Sequence, residues 1–108
     1  MASEVLKVAH QIVTDGEMVL INGASGHTYT ILSISICETA GAAETFDLYV
    51  DDGDGGTDHY IYKTQALAAN ATFEHTTRLT MLATDVLYGR TADSANVDVV
   101  ITYLDQTL

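Results

Sequence analysis

Three segments of this chain alternate apolar and polar residues, and no proline occurs anywhere in its 108 residues. TYTILSISIC, from Thr28 to Cys37, sets Leu32, Ile34 and Ile36 against Ser33 and Ser35. ETFDLYV, from Glu44 to Val50, sends Phe46, Leu48 and Val50 to one side, and NVDVVITYL does the same with Val97, Val99, Ile101 and Tyr103. A period of two places successive side chains on opposite faces of an extended chain, so each segment predicts a strand with one face buried.

Five further strands are expected over Val5–Val13, Met18–Ile21, His59–Tyr62, Thr72–Met81 and Asp85–Thr91. The pieces between them, among them TDGE, NGASG, ETAGAA, DDGDGGTD and ATD, are rich in glycine, Asn and Asp, which favour sharp reversals. Helix is expected only as a turn or two in QALAAN or ETAGAAE. About eight short strands joined by turns predict an all-β antiparallel sandwich, jelly-roll-like, rather than βαβ units. The expected organisation is one domain over residues 1–108, with 1–15 as an extended N-terminal arm or a first strand. Because edge strands are often blunted by proline and this chain has none, their cover must come from charged residues such as Lys63 and Arg78 or from a neighbouring subunit.

The chain carries 15 acidic and 4 basic side chains, a formal charge of -11. Binding to nucleic acid or anionic lipid rests on Lys and Arg, so no nucleic-acid and no membrane partner is expected. Apolar runs stay well short of the roughly 18 residues a helical span needs, and the start MASEVLKVAHQIV mixes Glu4, Lys7 and His10 among its apolar positions. A soluble chain without an export signal is the expectation.

DDGDGGTD, from Asp51 to Asp58, packs four carboxylates and three glycines between two apolar segments. An EF-hand needs acidic residues at positions one, three and five, Gly at six and Glu at twelve. Counting from Asp52 puts Gly56 fifth and Lys63 twelfth, and counting from Asp54 puts Gly56 third, so both registers fail. The expectation is a solvated bend, with Asp52, Asp54 and Asp58 as the candidates for a loose calcium site. His10, His27, His59 and His75 show no spacing that aims two imidazoles at one metal, and His75 falls on the apolar side of its strand as a hydrogen-bonded core histidine. The single Cys37 is expected as a small buried thiol.

Neither a nucleophile elbow nor a phosphate loop occurs: NGASGH lacks both the Walker lysine and a following helix. Paired carboxylates such as Glu38 and Glu44 cannot be singled out in so acidic a chain. No enzyme and no cofactor are expected. Of the six tyrosines, Tyr60 and Tyr62 are expected to share one side of a strand, with Tyr49 just across the acidic loop. Core and subunit contact are the favoured roles, with carbohydrate stacking as the alternative.

From His59 to Gln106 the order of segments resembles a class of small virion structural proteins of tailed bacteriophages. The residues carrying the resemblance are Leu67, Ala69, Asn70 and Thr72, then Leu82, Asp85 and Leu87, then Ala95, Val97 and Val99. The upstream half, TYTILSISICETAGAAETFDLYV, is similar to the strand, small-residue loop, strand unit of the same class. NGASGH stands where the class has a proline-containing turn, and YLDQTL departs from its glycine-containing close. The resemblance implies a β-sandwich, commonly trimeric, used as a capsid decoration or cement protein or as a tail or fibre part. It implies as partners other copies of the chain and the major capsid protein or another virion protein, and a place on the virion, the capsid surface ahead of the tail. Tyr60, Tyr62, Val5 and Leu6 are the expected interface residues. The alternative is a tail- or fibre-associated module that binds glycans in a tyrosine-lined groove.

Overall fold

A computed structural model describes residues 3–13, 16–53, 56–91 and 96–107. These form nine strands: β1 (Ser3–Val13), β2 (Gly16–Asn22), β3 (His27–Glu38), β4 (Glu44–Asp51), β5 (Asp58–Leu67), β6 (Thr72–His75), β7 (Leu79–Met81), β8 (Val86–Thr91) and β9 (Val97–Thr107). No helix occurs among the described residues, so QALAAN lies in strand and turn instead. All pairings are antiparallel. One sheet has the order β1-β9-β3-β6, with β7 also paired to β3, and the other the order β2-β8-β4-β5.

The expected strand over Thr72–Met81 is split at Thr76–Arg78 into β6 and β7, which pair with successive stretches of β3. Counted as one interrupted strand, they make the two sheets those of an eight-stranded jelly roll. The sequence-based fold class is therefore correct.

Between the sheets lie Ile31, Ile34, Ile36, Phe46, Leu48, Leu67, Met81, Leu87, Val97, Val99 and Ile101, all buried. Leu32 corrects the simple alternation read from TYTILSISIC. Tyr29 and Ile31 point inward, the β3–β9 register shifts between Ile31 and Ser33, and Ile34 and Ile36 then resume the inward phase. The bulge absorbs Leu32, which is left half-buried, because one extra residue in a ladder resets which side chains face the core. Cys37 follows the phase of Ser33 and Ser35 and is half-buried rather than buried.

Gly23 shows how tightly the turns close. Its N–H donates to the Asp85 carbonyl at 2.8 Å, and a Cβ there would sit 2.5 Å from the carbonyl oxygens of Ala83 and Asp85. Only glycine admits that approach, which explains NGASGH where a phosphate loop does not.

Candidate functional site

Two carboxylates are buried where the alternating pattern would place aliphatics. Glu38, 1% exposed, continues the inward row of Ile34 and Ile36 to the end of β3. It accepts hydrogen bonds from the backbone N–H groups of Ala40 (2.7 Å), Gly41 (2.8 Å), Ala42 (3.0 Å) and Asn70 (3.2 Å). Burial works against its ionisation, but the four N–H groups outweigh burial and hold the carboxyl below the usual range. Glu38 thus fastens two loops to the sandwich end, a structural use. Asp105, 4% exposed, accepts from Lys7 Nζ at 2.8 Å and lies 2.7 Å from His27 Nδ1. The Lys7 hydrogen bond first, then His27, lowers its pKa against the opposing effect of burial.

The acidic loop is tied down by its own side chains. Asp51 accepts from the Gly53 N–H at 2.8 Å, Asp52 Oδ2 lies 2.9 Å from His59 Nε2, and the Thr84 hydroxyl donates to the Asp52 carbonyl at 3.2 Å. Asp58 stands opposite Asp51 in the β4–β5 ladder. Asp54 lies outside the described residues, and among those described no three His, Cys, Asp or Glu side chains converge as metal ligands. Asp52, Asp54 and Asp58 therefore gain no support as a calcium site.

His75 is buried, with Nδ1 2.8 Å from the Tyr62 hydroxyl and Nε2 without a hydrogen-bond partner among the described residues. That is the core histidine read from the sequence. His27, the first residue of β3 after the turn, reaches Asp105 from the β3 side.

Tyr60 and Tyr62 do not share a face. The β4–β5 register shifts between Leu48 and Tyr49, pairing Leu48 with Tyr62 and Tyr49 with Tyr60. Tyr62 consequently turns inward to Phe73 (4.9 Å between centroids), His75 (5.4 Å) and Phe46 (6.1 Å). Tyr60 turns outward, and one register row then crosses all four strands: Val19, Tyr88, Tyr49, Tyr60. Tyr49 is 1% exposed although it lies on this outer face, because Tyr88 stacks on it at 5.5 Å, Tyr60 leans on it at 5.0 Å, and the Arg90 guanidinium sits 5.9 Å from its centroid. Its hydroxyl donates to Glu17, and burial followed by that carboxylate raises its pKa. Lys63 Nζ lies 4.9 Å from the Tyr60 centroid. Tyr49 is thus covered by its neighbouring rings and by Arg90, while Tyr60 stays exposed with Lys63 beside it.

Val19 and Tyr60 of this row are exposed, but the longest run of exposed aliphatics lies on β1. Residues 3–13 form β1, paired with β9 over eleven consecutive positions from Ser3↔Thr107 to Val13↔Val97 without a shift. Leu6 (65% exposed), Val8 and Ile12 alternate along one face of β1, and exposed Val100 of β9 lies on the same face of the sheet. Val5 points to the opposite face, across from Asp105, yet is also exposed. The strands of the other sheet that approach β1, β2 and β8, have 7 and 6 residues against 11 in β1, too few to cover its full length. Of Val5 and Leu6, the two β1 residues expected at an interface, only Leu6 lies on this strip, and the sequence reading did not name Val8 and Ile12, which extend it.

No protein-family model matches the chain, and no curated protein matches it. Solved structures do share its fold. A chain from the Bacillus endospore appendages, described as disulfide-linked pili, is 13% identical with a TM-score of 0.60, over 99% of this chain and 88% of that one. The Drosophila NLP core, studied for pentamer formation and histone binding, is 13% identical with a TM-score of 0.60, over 90% and 96%. A chain from the capsid of Helicobacter pylori bacteriophage KHP30 is 17% identical with a TM-score of 0.54, over 100% and 94%. At such identities the likeness is one of fold.

Proposed function

We propose that this protein is a non-enzymatic structural component of a phage virion, a decoration or cement protein that assembles with copies of itself and stabilises the shell from outside. The observation that carries the reading is the strip of Leu6, Val8, Ile12 and Val100, apolar and exposed beside the open edge of a jelly roll. A soluble domain gains by covering such a strip, and in a particle the cover is another subunit. The fold shared with the KHP30 capsid chain supports the setting, and the charge of -11 suits a surface kept off the packaged genome. The trimer is the assembly the resemblance implies. Glycan binding on a tail or fibre gains less support, because Tyr49 is covered and Tyr60 already carries Lys63.

The test uses purified particles of the encoding phage and shells stripped of this protein. Added protein should sediment with stripped shells and raise their melting temperature, whereas a Leu6→Asp/Val8→Asp variant should do neither. Absence of the protein from purified particles would end the reading. Immunogold label confined to the tail would replace it with the tail-associated alternative.

A further inference from the structure

Each sheet has two edges, and three of the four are irregular. The β2 ladder shifts between Val19 and Ile21, the β5 ladder shifts twice with Thr64 at a φ of 52°, and the β6–β7 edge is broken at Thr76–Arg78. The fourth edge, β1, has an uninterrupted register and contains no proline or glycine. Only its C-terminal end is approached by another strand, where Gln11 Nε2 donates to the Val19 carbonyl at 3.4 Å. Among the described residues no strand pairs with the outer edge from Ser3 to His10, where a regular extended backbone presents alternating N–H and C=O groups.

We infer that β1 pairs antiparallel with β1 of a second copy, joining the two five-stranded sheets into one. What fits an open, regular strand edge is another strand, because only an extended backbone matches its donors and acceptors in spacing. A copy of this chain has one strand able to pair without a bulge, its own β1, and a two-fold contact satisfies both edges at once. The pairing also extends the strip, since a two-fold axis normal to the sheet keeps each outer face outward. Centred on Leu6 or on Val8, it sets aliphatic side chains against their symmetry mates, while centring on Lys7 would oppose two ammonium groups. This deepens the self-assembly part of the proposed function and rests on it. In a trimeric assembly the same contact links one trimer to the next.

Amide hydrogen exchange measured by NMR, with analytical ultracentrifugation, tests it on the full chain. The wild type should show protection of successive β1 amides from Ser3 to His10, lost at every second residue on dilution. A Leu6→Lys/Val8→Lys variant should have about half the wild-type mass, with an unchanged far-UV spectrum because both side chains are exposed. Leu6→Cys and, separately, Val8→Cys in a Cys37→Ser background supply a check without added charge, and the one at the centre of the pairing should cross-link on oxidation. Alternating protection at all concentrations, or an unchanged mass for the lysine variant, would overturn the inference. So would β1 amides that gain protection only when purified shells are added, which would make the occupant a shell strand and leave the cement role standing. Pairing in solution without binding to shells would do the reverse.

Discussion

The edges at β1 and β5 close the two sheets in opposite ways. β5 is bent by two bulges, and the N–H of Thr64, in its unusual positive-φ conformation, is occupied by the Asp47 carboxylate at 2.7 Å. Asp47 also accepts from Arg90 at 2.8 Å, so edge and neighbouring strands are bound together. β1 keeps an unbroken register with β9, and among its side-chain ties are Ser3 to Thr107, Glu4 to Gln106 and the half-exposed Lys7 reaching the buried Asp105. A non-glycine residue held at positive φ costs about 1–3 kcal/mol, which the fold tolerates at β5 to keep that edge from pairing. β1 carries neither a bulge nor a positive-φ residue, only the charges of Glu4 and Lys7. On the proposed pairing, the one edge left regular is the one that meets a partner.

The largest difference between the edges should appear in stability. Tyr62→Ala removes a ring packed among Phe46, Phe73 and His75 beneath β5, and should cost about 3 kcal/mol in urea denaturation. Leu6→Ala on β1, measured at low concentration, should stay within about 0.5 kcal/mol, because its side chain is 65% exposed. Equal losses would mean that β1 is covered in the single chain. Asp47→Ala should come next, at about 1–2 kcal/mol, since it strands the Thr64 N–H and the Arg90 guanidinium together. Asp47→Asn should recover part of this by keeping an acceptor for Thr64.

The sequence made the sandwich legible because period-two alternation survives in β3, β4 and β9, the strands that carry much of the core. It misled where a ladder slips. Tyr60 and Tyr62 read as neighbours on one face, and nothing in HYIYK announces the bulge that parts them. Leu32 was assigned inward for the same reason. Buried Glu38 was visible in principle: it stands in phase with Ile34 and Ile36 and is followed by TAGAA, small residues whose N–H groups can crowd one carboxylate. Asp105 likewise keeps the phase of Val97, Val99, Ile101 and Tyr103. A carboxylate in an apolar row is a signal of a fastened loop or strand. The open edge of β1 could not be read at all, because which strand ends a sheet is a property of topology.

The smallest effect, and the finest comparison, concerns the two carboxylates that fasten these edges. Thr64 first among its attractive partners and then Arg90 depress the pKa of Asp47 despite burial, and Lys7 and then His27 depress that of Asp105. A depressed carboxyl stabilises the fold above its unfolded pKa, near 3.9, and the contribution disappears as pH falls through the lower folded value, so both fastenings fail in acid. Lys7 differs in sign: hydrogen bonding to Asp105 raises its pKa above 10.5, so its contribution is complete below that value and is lost as pH rises through the folded one. Arg90 has no such limit in the accessible range, because a guanidinium stays charged there and Asp47 raises its pKa further. Alkaline titration should therefore loosen β1 and leave β5 fastened. Urea midpoints of wild type and Lys7→Met should differ slightly at neutral pH and converge as the pH rises through the raised folded pKa of Lys7. On the acid side the variant should lose less than the wild type but still lose some, since Asp105 keeps His27. Because the Lys7 side chain is 44% exposed, high salt should erase most of the neutral-pH difference. A difference that persists in salt and at alkaline pH would mean that Lys7 supports β1 through its aliphatic stem instead of its charge.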